Sequence, residues 1–315
     1  MKVWITTVFA LALAVPALAL GASAKPRVTT KGVAKLTPST VSLLGTVDPN
    51  GAATSYLFQY GPSPLYGAVT VATPAGGGAK PVNVVVDVTG LAPATVYHYR
   101  LVAKNRNGMV KGGDRTFKTR AEPLGLTLAA TPNPVPFGGP TVLAGTVTGT
   151  GNAGRQVVLQ SNPFPYTQGF MTTSNVQLTN AQGAFAFPLL SVPLNTQYRV
   201  LIPTRPEVVS PIVSVGVAVK VSTLVSATRV HRGRRVRFFG TVRPARDGAQ
   251  VAIQKLRGTN WITVAGTITR HAGAGFSRYS KRVRIAHGGS YRVFVGIVDG
   301  NFVSSSGRTV RIRTR

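Results

Sequence analysis

The 315-residue chain contains no cysteine. Disulfide bonds and thiol chemistry are excluded, so each folded domain must rest on its own apolar core. Carboxylates are nearly as scarce: Asp48, Asp87, Asp114, Glu122, Glu207, Asp247 and Asp299 are the seven present. They are scattered, and Asp48-Pro-Asn-Gly51, Asp247-Gly248 and Asp299-Gly300 are turn signatures. Paired acids for general acid–base work are missing, as is the oxygen-rich cluster that calcium requires. The histidines, His98, His231, His271 and His287, lack metal-site spacing, and His98 falls at an outward, solvated strand position. Neither a Gly-x-Ser-x-Gly elbow nor a phosphate loop occurs. These absences predict a non-enzymatic protein with no catalytic residues, no cofactor and no metal.

Helical periodicity is absent too. With 35 glycines, 22 prolines, 43% hydrophobic and 14% charged residues, the composition suits short apolar strands joined by many turns. Residues 1–24 read as a targeting segment: Lys2 is a minimal basic start, Val3–Leu20 is apolar, and Ala22-Ser23-Ala24 is a small-residue cleavage pattern. The expectation is a signal peptide, export, and a mature chain from Lys25. A retained anchor is the alternative, because the apolar run is near spanning length. No second such run follows, so no transmembrane span is expected in the mature chain. Thr309–Arg315 reads as a closing strand without a sorting motif.

What the chain does have is a threefold repeat. Gly-Thr-Val triplets begin at Gly45, Gly145 and Gly240, and a glutamine closing an apolar run follows 14, 15 and 14 residues later at Gln59, Gln160 and Gln254. Tyrosine strands come next, at Tyr97, Tyr198 and Tyr291. In Leu91–Ala103 the apolar residues alternate, and the Tyr97 hydroxyl is expected to bond upstream backbone as a tyrosine corner. A repeat of roughly 100 residues is the length of one immunoglobulin-like sandwich. The prediction is an all-β chain of three tandem sandwiches, residues 25–121, 122–219 and 220–315, with triplets, glutamines and tyrosines on strands B, C and F.

The first of these resembles the bacterial extracellular fibronectin type III module. The likeness rests on Gly45-Thr-Val-Asp-Pro-Asn-Gly51, Thr54-Ser-Tyr-Leu-Phe-Gln-Tyr-Gly61, Tyr66-Gly67, Gly90–Arg100, Ala103–Gly108 and Gly113–Thr119. It implies a spacer or binding module without catalytic machinery. It departs from the animal modules in lacking their early-strand tryptophan. The other two resemble the immunoglobulin-like repeats of exported bacterial proteins, more loosely. In the middle one, Pro132, Pro134 and Pro136 suit an interrupted edge strand. An insertion, Asn162–Met171, carries Phe164, Tyr166 and Phe170. These rings read either as an exposed platform for sugar or protein or as a loop folded over the sandwich end. Trp261, after the third glutamine, reads as a packing residue.

The net charge is +29 and unevenly placed. Residues 25–121 carry 12 Lys and Arg against 3 acids, residues 122–219 carry 3 against 2, and residues 220–315 carry 20 against 2. In Arg235-Val-Arg237-Phe238 and Arg282-Val-Arg284-Ile285 the period of two sends the arginines to the face opposite the apolar residues. Strands B and E share a sheet in this fold, so these four should form one patch. Arg292, Arg311 and Arg313 should form a second on the opposite sheet. Such patches attract polyanions in a salt-dependent way, although compositional bias and solubility would also supply surface arginine. The expected partners are anionic cell-envelope polymers or extracellular polysaccharide. Nucleic acid is disfavoured, since no recognition helix or stacking motif accompanies the charge. A spacer held electrostatically to the envelope is the first reading. An adhesin using the Phe164/Tyr166/Phe170 loop, with sugar or a protein partner, and an accessory subunit of a separate extracellular enzyme are the alternatives.

Overall fold

The computed structural model describes residues 24–173 and 176–315. The expected signal peptide, apart from Ala24, lies outside the described residues. Those residues hold strands, turns and no helix, hence none long and apolar enough to cross a membrane. The chain divides into two compact units between Glu122 and Pro123. Each is built of facing antiparallel sheets, the architecture of tandem immunoglobulin and fibronectin type III-like sandwiches.

In the first unit, strands Arg27–Ala34, Val41–Asp48 and Val82–Val88 form one sheet. Thr54–Gly61 and Val96–Asn105 pair at the centre of the other, flanked by short strands. Alternation explains the core. Val41, Leu43 and Val47 from one sheet meet Tyr56, Phe58, Tyr99 and Leu101 from the other, all buried. The corner forms as expected: the Tyr97 hydroxyl accepts the Ala92 N–H at 2.9 Å, and its ring stacks on Phe117 at 5.5 Å.

The second unit holds two further pairs of sheets. Around the middle sequence, Thr141–Thr148 and Ala184–Leu189 pair in one sheet, and Gln156–Pro163 and Thr196–Ile202 in the facing one. The proline-rich stretch does break the edge strand. Ala129–Thr131 pairs with Thr141–Thr148, and after two prolines Val135–Pro136 runs parallel to Val217–Ala218. Residues 220–315 follow the same plan. Arg235–Arg243 and Ser277–Arg284 pair in one sheet; Gln250–Arg257, Gly289–Gly296 and Val310–Thr314 belong to the other.

The sheets change over at Val219/Lys220, but the core does not: one apolar cluster runs from Val135 to Ile312. The junction is bonded as well as packed. Val303 donates to the Val217 carbonyl at 2.8 Å and accepts the Val219 N–H at 3.2 Å. Asn195 accepts from Val217 N–H and donates to the Gly300 carbonyl, at 2.7 and 2.8 Å. Phe302 completes it, edge-on to Phe137 at 5.9 Å and covered by the Arg246 guanidinium at 4.1 Å.

The repeat has a physical content that spacing alone does not reveal. Each glutamine faces an arginine across the ladder, as Gln59 and Arg100, Gln160 and Arg199, Gln254 and Arg292. The arginine Nε donates to the glutamine Oε1 at 2.7, 2.8 and 2.8 Å. Each guanidinium also lies over an aromatic ring: Tyr66 at 4.4 Å, Phe170 at 4.3 Å and Trp261 at 4.4 Å. This register corrects the expected equivalence. The partner of Tyr198 and Tyr291 is Tyr99, in the shared Tyr-Arg pair, and Tyr97 is the separate corner residue. The triplet glycines are equivalent too: a Cβ on Gly145 would strike the Thr127 carbonyl, and one on Gly240 the Ser222 carbonyl.

Candidate polyanion-binding face

In Arg235–Arg243, Val236, Phe238 and Val242 are fully buried, and in Ser277–Arg284 Tyr279 and Val283 are buried. The strand period therefore turns Arg235, Arg237, Arg282 and Arg284 to solvent, and all four are exposed. Their register is direct: Arg235 faces Arg284, and Arg237 faces Arg282. Directly paired positions put side chains about 5 Å apart at Cβ, and successive outward positions on one strand lie about 6.7 Å apart. The four guanidinium groups thus crowd one small area.

Among the described residues no carboxylate ion-pairs with them. Residues 220–315 carry two acidic side chains, and both are engaged elsewhere. Asp247 bonds Ser277 and His271, the latter at 3.1 Å, and the Ser277 bond foremost holds its carboxyl below the usual range. Asp299 caps the Asn301 N–H at 3.0 Å and sits 3.3 Å from the Arg246 Nε, an ion pair without hydrogen-bond alignment. Arg237 instead lays its guanidinium 4.4 Å from the centroid of the Phe239 ring, which preorganises it.

The face is larger than periodicity within the two arginine motifs indicated. Arg243, Arg270 and Arg278 join it, all exposed. Arg278 shares the parity of Arg282 and Arg284, so continuing the alternation two steps upstream finds it. Arg270 had no such signal. It arrives because Arg270–His271 crosses to pair with the Arg278 end of the neighbouring strand.

On the opposite sheet, Arg311 and Arg313 are exposed, with Arg313 beside Arg229 in a parallel pair and Arg311 facing Ser290. Arg292 is different. It is half-buried, bonded to Gln254 and stacked on Trp261, so its guanidinium is not the open group that was expected in this patch. Trp261, half-buried beneath it, packs as expected.

The aromatic insertion folds inward. Phe164, Tyr166 and Phe170 are each half-buried. Phe164 and Tyr166 meet edge-on at 5.4 Å, Phe170 lies under Arg199, and a Cβ on Gly300 would fall 2.6 Å from the Phe164 ring. This geometry is the loop folded over the sandwich end.

In the first unit, His98 is also not simply solvated. Its Nδ1 lies 2.8 Å from Asp114, whose other oxygen accepts the Tyr66 hydroxyl at 2.9 Å. Burial pushes the Asp114 carboxyl up, but the bonds from His98 and Tyr66 outweigh it and the net shift is downward. Tyr66 itself, at φ +66°, is raised by burial and by Asp114. The trio is a brace beneath Arg100, and among the described residues no group of His, Asp and Glu could hold a metal ion.

No family model matches this chain, and no curated protein matches it. Among solved structures, a tandem-domain fragment of titin is 15% identical, covering 92% of this chain and 100% of its own, with a TM-score of 0.41. The tetra-tandem repeat from the extending region of a large adhesion protein is 16% identical over 92% of this chain and 74% of its own, at 0.29. A four-domain ectodomain fragment of ICAM-5 is 13% identical over 92% and 76%, at 0.38.

Proposed function

We propose that the chain is an exported, non-enzymatic spacer whose C-terminal sandwich associates with anionic polymers of the cell envelope. One observation carries this reading: Arg235, Arg237, Arg282 and Arg284 stand in facing pairs, exposed, and among the described residues none of them ion-pairs with a carboxylate. Like charges set opposite one another weaken a sheet, so the arrangement costs stability unless an anion occupies it. Guanidinium forks suit phosphate and carboxylate alike. The scarcity of acids and the absence of a metal-ligand cluster among the described residues favour a binding role over catalysis.

The test is cosedimentation of the full chain with isolated cell-wall sacculi across a salt series. The expected result is retention at low salt and release by about 0.5 M, where the Debye length is a few ångströms. Replacing Arg235, Arg237, Arg282 and Arg284 together by Gln should abolish retention at low salt. Undiminished retention of that variant would remove the proposal.

A further inference from the structure

The same sheet face holds a second feature that a ladder of charges does not require. A groove of about 880 Å³ crosses it, within the few-hundred to roughly 1,000 Å³ range of small-ligand sites. The crossing strand Arg270–His271 bounds one side, and Leu224–Val225, paired to Phe239 and Phe238, bounds the other. Three arginines, Arg237, Arg270 and Arg278, line it, and no Asp or Glu does. Asp247, which bonds the His271 next to Arg270 in sequence, is also bonded to Ser277.

The rest of the lining mixes the hydroxyls of Ser222, Thr241, Thr267 and Ser280 with four large apolar side chains. Phe239 and Phe276 are half-buried on this face, and Leu224 and Ile268 stand 45% and 44% exposed beside them. Both rings are covered by guanidinium groups, Phe239 by Arg237 at 4.4 Å and Phe276 by Arg243 at 5.0 Å. The one phenol in the lining is spent: the Tyr279 hydroxyl donates to the Ser222 carbonyl at 2.6 Å. The site thus offers cations for a head group and hydrocarbon for a body. A neutral ligand would leave three guanidinium groups uncompensated. A bare anion would leave Leu224 and Ile268 in water.

We propose that this groove binds a small amphiphilic anion, with a phosphate monoester head held by Arg237, Arg270 and Arg278 and an alkyl body lying along the exposed Leu224 and Ile268. The groove does not rest on polymer association, although its three arginines, Arg237, Arg270 and Arg278, stand on the same basic face.

The experiment is calorimetric titration of the full chain with octyl phosphate below its micelle concentration. Octyl glucoside supplies the same tail without charge, and inorganic phosphate the head without a tail. The expected result is one site per chain, with octyl phosphate at least roughly tenfold tighter than either control, since each half contributes more than 1.4 kcal/mol. Arg270→Gln with Arg278→Gln should weaken octyl phosphate roughly tenfold or more. Leu224→Ser with Ile268→Ser, both at exposed positions, should erase its advantage over inorganic phosphate. Equal affinity for octyl phosphate and inorganic phosphate overturns the proposal, as does unchanged affinity in the Arg270/Arg278 variant. Replacing Arg235, Arg282 and Arg284 by Gln should leave octyl phosphate binding intact while weakening retention on sacculi, so the two readings fail separately.

Discussion

Arg235 and Arg284 face each other across an antiparallel pair, both exposed, in a part of the chain whose two acidic side chains are bonded elsewhere. Two guanidinium groups at such a separation repel, and the repulsion is screened only in part at physiological salt. Arg284→Gln should therefore leave the protein as stable or slightly more so, by up to about 0.5 kcal/mol. Urea denaturation at low and high salt checks it: the gain should shrink as salt rises. A clear loss of stability would mean that the pair is held by contacts other than those described.

The Asn195–Gly300 and Phe137–Phe302 contacts join two sandwiches into one unit. Calorimetry of the full chain should show Pro123–Arg315 melting in one transition. Phe302→Ala, at a buried ring, should cost roughly 3–5 kcal/mol and separate that transition into two. If the wild-type chain already melts these sandwiches separately, the shared core carries no cooperativity.

Gly240 packs so closely on the Ser222 carbonyl that a methyl group has no room, and the Tyr279 hydroxyl is 2.8 Å from where it would stand. Gly240→Ala should destabilise by about 1–3 kcal/mol or more through a backbone shift. Gly78→Ala, at a position with no atom nearer than 4.0 Å, is the control and should change little. Equal effects at the two sites would disprove the packing explanation.

Burial pushes the Tyr279 hydroxyl up to about 12, against a smaller lowering effect of the nearby Thr223 hydroxyl. A folded value above the unfolded one near 10 means the stabilisation is complete below about pH 10 and is lost as pH rises through 12. Tyr279→Phe should cost about 1 kcal/mol at neutral pH, because the Ser222 carbonyl loses its donor. It should also flatten the alkaline decline between pH 10 and 12. A stability–pH curve unchanged in shape would contradict this assignment.

The Asp114 carboxyl is held below its usual range by His98 and Tyr66 in spite of partial burial. Its stabilisation is present above the unfolded value near 4 and lost as pH falls through the lower folded value. Asp114→Asn should be destabilising at neutral pH and approach the wild type as pH falls below 4. A destabilisation that persists undiminished at pH 2 would point to packing and not to charge.

Alternation, glycine and proline placement, and the order of triplet, glutamine and tyrosine were enough to specify sandwiches, because a period of two and a turn residue act locally. They also specified that Arg235, Arg237, Arg282 and Arg284 leave the core, since Val236, Phe238, Val283 and Ile285 must enter it. Which strands meet is not local. Only the folded chain brought Gln254 under Arg292 and so withdrew Arg292 from the open patch. It carried Arg270 across to Arg278, turned Phe164 and Phe170 inward against Gly300 and Arg199, and merged two cores through Phe302. The physical reason is that a residue's own parity sets the face it occupies, while the register between distant strands sets the neighbours it finds there.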